Sequence, residues 1–72
     1  MYRAALDTRL AKLELLLVTG QRRIERQERV IADLEKLGRS TIVARKLLLH
    51  LEEIQRSHEM ARDLMASRMA RL

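Results

Sequence analysis

The chain has 72 residues, neither cysteine nor proline, one aromatic side chain (Tyr2), and a net charge of +5 from 15 basic and 10 acidic residues. A chain this short encloses little core, and without thiols it has neither disulfides nor thiolate metal sites to brace it. The core must come from Leu, Ile, Val, Met and Ala, and no membrane span is expected, because the apolar run from Leu13 to Val18 is short and interrupted by Glu14. The absence of a signal-peptide pattern and of cysteine leads to the expectation of a cytoplasmic protein.

In the first half, Leu10, Leu13, Leu17, Gly20, Ile24, Gln27, Ile31 and Leu34 follow alternating steps of three and four residues. That spacing puts one stripe on one face of a helix, as in a coiled-coil seam. The helix is expected over about residues 4–37, with Gly20 its weak point, since glycine in a helix interior costs about 1 kcal/mol against alanine.

A turn follows at 38–40. Gly38 can take the left-handed conformation that ends a helix, and Ser40 or Thr41 can cap the amides of the next one. The second helix is expected over about 41–70, with Ala44, Leu47, Leu51, Ile54, His58, Ala61, Met65, Arg68 and Leu72 as its stripe. Reversal at Gly38-Arg39 brings the stripes level, pairing Leu34 with Ala44, Ile31 with Leu47, Gln27 with Leu51 and Ile24 with Ile54. Gly20 then meets His58, Leu17 meets Ala61, Leu13 meets Met65, Leu10 meets Arg68 and Leu6 meets Leu72. On this reading Gly20 makes room for the imidazole of His58, and acid should loosen the seam by protonating it. The whole chain, 1–72, is a single all-α domain, an antiparallel two-helix hairpin.

Further apolar residues flank the seam. Leu16 with Leu64, Val30 with His50, and Leu37 with Val43 are expected on one edge of the hairpin, and a monomer would leave them in water at roughly 1.5–3 kcal/mol for each large side chain not buried. Two copies closing into a four-helix bundle would bury them, so a homodimer is expected, with Leu16, Val30, Leu37, His50 and Leu64 as its interface. The opposite edge is polar, with Glu14 level with Arg62 and Gln21 with Gln55. Glu25–Arg29 and Glu52–Arg56 have favourable four-residue spacing.

No residue pattern points to catalysis, a metal or a cofactor. His58-Glu59 opens like a zinc-protease helix, but Arg62 stands at the second ligand position. Di-iron bundles need Glu three residues before His, and here Gln55 precedes His58 and Leu47 precedes His50. His50 and His58 lie roughly 12 Å apart along the helix and cannot share an ion within one chain. Ser40, Ser57 and Ser67 lack a base and an orienting partner, and the two isolated glycines form no phosphate-cradling loop.

Twelve of the 15 basic residues are arginine. Arg22, Arg26 and Arg29 share a helix face that could follow phosphates. Against this, Glu25, Glu28 and Asp33 are interleaved, and there are no aromatic platforms for stacking bases. An arginine-rich, nucleic-acid-associated regulator is therefore the alternative to a protein-interaction or scaffolding module, whose partner is a second copy or an unidentified protein.

Taken together, Ile24, Gln27, Ile31, Leu34, Gly38, Thr41, Ala44, Leu47-Leu48, Leu51, His58 and Arg62-Asp63 resemble a recurrent pattern in short bacterial proteins of unknown function, over residues 20–64. Where that pattern has an acidic residue before the threonine, this chain has Ser40, which can also cap. The resemblance implies a helical hairpin and carries over no functional residue.

Overall fold

A computed structural model describes residues 2–72 and consists of two helices, α1 (Tyr2–Lys36) and α2 (Ile42–Ala70), packed along each other as an antiparallel hairpin. The result is a rod with principal extents of 55 × 14 × 13 Å. Without proline, neither arm meets a backbone that lacks a donor, so α1 runs 35 residues and α2 runs 29.

Between the helices Gly38 adopts φ +66°. Its N–H donates to the Glu35 carbonyl at 3.0 Å and the Arg39 N–H donates to the Leu34 carbonyl at 2.9 Å. These paired bonds form a Schellman motif, which satisfies two carbonyls that the end of α1 would otherwise leave without donors. Thr41 occupies the N-cap of α2, yet its hydroxyl makes no cap bond and instead accepts Arg45 Nε at 2.9 Å. Ser40 Oγ takes part of that role, accepting the Ile42 N–H at 3.4 Å. Arg45 also pairs with Glu35, tying the start of α2 to the end of α1.

The inward stripe of α1 is the one its spacing predicts. Leu6, Leu17, Ile24 and Ile31 are buried, and Leu10, Leu13, Gly20, Gln27 and Leu34 are half-buried between them. The stripe of α2 differs from expectation. Ala44, Leu51, His58, Ala61 and Met65 do lie inward, but Leu48, Gln55, Arg62 and Met69 complete the series, and Arg68 is exposed. Leu47 and Ile54 are instead 47% and 40% exposed. Helix α2 is thus rolled about its axis relative to the expected seam, and Gly20 meets Gln55 rather than His58.

Because only glycine accepts φ near +66° without steric cost, Gly38→Ala should destabilise the hairpin by about 1 kcal/mol and Gly38→Asn by less. Urea unfolding followed by circular dichroism tests this; equal midpoints for Gly38→Ala and the parent chain would show that the turn contributes nothing.

Candidate functional site

The centre of the seam is polar. Gln55 is 8% exposed, and its Nε2 donates to the Leu17 carbonyl of α1 at 2.8 Å. Ten residues further along α1, Gln27 Nε2 donates to the Ala44 carbonyl of α2 at 2.9 Å. Each helix therefore sends one amide across to the main chain of the other. A side-chain donor to a fixed carbonyl specifies axial position in a way that interchangeable leucines do not.

Gly20 explains how Gln55 fits. A Cβ at position 20 would overlap Gln55 Oε1 and come within 3.0 Å of its Cδ. The hydrogen that stands in place of a side chain leaves the space the amide fills. Oε1 is itself buried without a hydrogen-bond partner, as is His58 Nδ1. A buried polar atom left without a partner is costly, so this packing is retained against a local penalty. With Gln55 in the gap, the expected fit of His58 against Gly20 is overturned, and with it the geometric basis for acid loosening the seam there.

Flanking the seam are two unlike edges. On one, Gln21, Ile24, Glu28, Glu52, Gln55, Arg56 and Glu59 line a shallow groove of about 320 Å³. A second groove continues it past Glu28, Leu48, Glu35 and Arg45. Asp7, Glu14, Gln21, Glu28 and Glu35 recur every seven residues along α1 on this side. Glu14 does not pair with Arg62, which instead binds its neighbour Asp63 at 3.1 Å. Gln21 Nε2 reaches Glu25 Oε1 at 3.4 Å, and neither Glu25–Arg29 nor Glu52–Arg56 closes into an ion pair among the described residues.

The other edge is apolar. Arg9, Lys12, Leu13, Leu16, Ala61 and Met65 line a groove there of about 310 Å³. Stepping by seven from Leu16 gives Arg23, Val30 and Leu37, and stepping back from Ala61 gives Ile54 and Leu47. Leu47 and Ile54, turned out of the seam, therefore join Leu16, Val30 and Leu37. Val43, His50 and Leu64 lie just beyond them on α2. Leu16, Val30, Leu37, Val43, Leu47, Ile54 and Leu64 are each 40–80% exposed. The sequence reading missed Leu47 and Ile54 as members of this edge because either α2 stripe has the spacing of a seam. The signal that separates the two is the volume left by Gly20.

Arg22, Arg26 and Arg29 are all exposed and make no ion pair among the described residues. Among these residues no group of three or more His, Cys, Asp or Glu side chains is placed to hold a metal, and no helix is long and apolar enough to cross a membrane.

Comparison with known proteins returned no matching family model, no matching curated protein and no matching solved structure. The functional reading therefore rests on this chain's own residues.

A double-mutant cycle tests the pairing of Gly20 with Gln55. Gly20→Ala alone gains about 1 kcal/mol of helix propensity but displaces an amide whose hydrogen bond contributes a similar amount, so it should change stability little. In a Gln55→Ala background the same substitution should stabilise by about 1 kcal/mol, because nothing remains to displace. Additive effects in urea unfolding would mean that the two residues do not share the space.

Proposed function

We propose that this chain is a non-enzymatic interaction or scaffolding module whose first partner is a second copy of itself, two hairpins closing into a four-helix bundle through the edge bearing Leu16, Val30, Leu37, Leu47, Ile54 and Leu64. The observation that carries this reading is the roll of α2. The hairpin admits Gln55 to its seam and leaves Leu47 and Ile54 in water, an arrangement unfavourable for an isolated hairpin and favourable once that edge is covered. Those six side chains are each 40–69% exposed, and exposed apolar side chains gathered along one edge mark a surface for association. Membership of Leu37 and His50 in the interface follows from the same edge, Leu37 near the turn and His50 at the boundary with the solvated face.

Sedimentation velocity at micromolar concentration should give a compact species of twice the 8.5 kDa chain mass. Leu47→Glu with Ile54→Glu should convert it to the monomer mass. Leu15→Glu, on the far side of α1, should leave the dimer intact. A monomeric parent chain, or a dimer indifferent to the Leu47 and Ile54 changes, refutes the reading.

The second reading, an arginine-rich regulator that associates with nucleic acid, is favoured by the exposed and unpaired guanidinium groups of Arg22, Arg26 and Arg29. Binding by phosphate contacts falls steeply with salt. If the reading holds, the parent chain binds a mixed DNA and RNA pool at low salt, and replacing the three arginines with Gln weakens binding at least tenfold and flattens its salt dependence. No binding at low salt eliminates it.

A further inference from the structure

Resting on the self-association proposed above, we infer that the contact between the two copies is a binding site for a free oligophosphate anion, whose uptake strengthens the dimer. The observation that carries this is where the net charge of the chain resides. On α1 the row through Leu16 begins with Arg9 and passes through Arg23, and the row outside it holds Lys12, Arg26 and Asp33. On α2 the row through Ile54 and Ala61 reaches Arg68, and the row outside it, through Leu64, reaches Arg71. Six cations and one carboxylate therefore flank the apolar edge, and all seven side chains are exposed. None of the six cations makes an ion pair among the described residues.

The other nine basic and nine acidic residues cancel, so the whole net charge of +5 lies along this edge. Asp7, Glu14, Glu28, Glu35, Glu52 and Glu59 gather on the opposite edge, and Glu25, Glu53 and Asp63 lie exposed on the outer faces. A rod that is neutral elsewhere thus concentrates its charge on the surface that self-association must cover.

Closing two such edges on each other sets +5 against +5, whichever way the hairpins point. With helices packed about 10 Å apart, the facing rims lie within about one Debye length at 0.1 M salt and repel each other. An anion held between them reverses that. It meets cations from both copies in the dimer and from one in the monomer, so it binds the dimer more tightly and shifts the equilibrium toward it. The densest group is at the open end of the rod. Leu16 and Ala61 line one groove, which sets Arg9 level with Arg68, seven residues further along each helix, with Lys12 and Arg71 beside them and no carboxylate on that edge. Five of the six cations are arginine, whose planar fork matches two oxygens of a phosphate at once. A compact anion with several phosphate charges suits such a group and leaves the apolar contact in place.

Sedimentation at a fixed ionic strength of about 0.1 M, with sodium tripolyphosphate replacing part of the chloride, reads the dimer dissociation constant. Millimolar tripolyphosphate should lower it roughly tenfold, a usual size for coupling between two binding events. In the triple variant Arg9→Gln, Lys12→Gln, Arg68→Gln the dimer should form more tightly without tripolyphosphate and lose the response to it. The triple variant Lys36→Gln, Lys46→Gln, Arg56→Gln lowers the net charge equally but away from the edge, and should keep the parent's response. All six positions are exposed, and far-UV circular dichroism matching the parent establishes that each variant folds. An unchanged dissociation constant in the parent chain, or an equal response in both triple variants, overturns the inference and leaves self-association intact. A parent chain at monomer mass both with and without tripolyphosphate overturns self-association and this inference with it.

Discussion

The entry of the Gln55 amide into the gap at Gly20 sets the geometry of the whole rod. Its hydrogen bond to the Leu17 carbonyl can form only where no Cβ intervenes, and α1 offers one glycine. Once that contact is made, the roll of α2 is fixed at its middle, and the residues one step around the helix follow. Leu48 turns in and Leu47 turns out, and the same holds for Gln55 against Ile54. The Gln27 bond to the Ala44 carbonyl holds the same alignment nearer the turn. Two amide-to-carbonyl bonds running in opposite directions constrain both roll and slide. Buried polar groups of this kind are known to select one arrangement among several similar in energy.

This choice weakens the isolated hairpin. Among the described residues four hydrophobic side chains are buried, Leu6, Leu17, Ile24 and Ile31, and two buried polar atoms lack partners. Chains of this size seldom stand on such a core without a brace, and the absence of cysteine rules out a disulfide. Part of the apolar surface left over collects along one edge through the seven-residue recurrence of Leu16, Val30 and Leu37 on α1 and of Leu47 and Ile54 on α2, with Leu15, Val18, Ile42, Leu49 and Met60 exposed elsewhere, while Asp7, Glu14, Glu28 and Glu35 recur along the other edge. A rod with one apolar and one acidic long edge has a defined side for association and a defined side for solvent. Arg22, Arg26 and Arg29 stand exposed on the outer face of α1.

Much of this was legible in the sequence. The three-four spacing in both halves, the lack of proline, and Gly38 at the reversal specify a helical hairpin from local rules alone, because helix periodicity and glycine's access to positive φ are properties of the residue and its near neighbours. The α1 stripe was legible for the same reason, since Leu17, Ile24 and Ile31 have no competing apolar stripe of equal quality beside them. Five of the edge residues, Leu16, Val30 and Leu37 on α1 and Val43 and Leu64 on α2, were likewise visible as surplus hydrophobicity beside the seam.

Only the tertiary structure decided which face of α2 turns inward. That helix carries two stripes one step apart, Leu47-Ile54-Ala61-Arg68 and Leu48-Gln55-Arg62-Met69, sharing Ala44, Leu51, His58 and Met65 between them. Hydrophobic content favours the first, and a reading by periodicity therefore places Ile54 inward and fits His58 to Gly20. The structure takes the second, because the deciding term is neither periodic nor local. It is the match between a missing side chain on α1 and an amide on α2, 35 positions apart in the chain, completed by a main-chain carbonyl that no sequence pattern marks. Local chemistry thus determined that the chain forms two helices and where it turns, and shape complementarity across the seam determined which of its leucines remain outside.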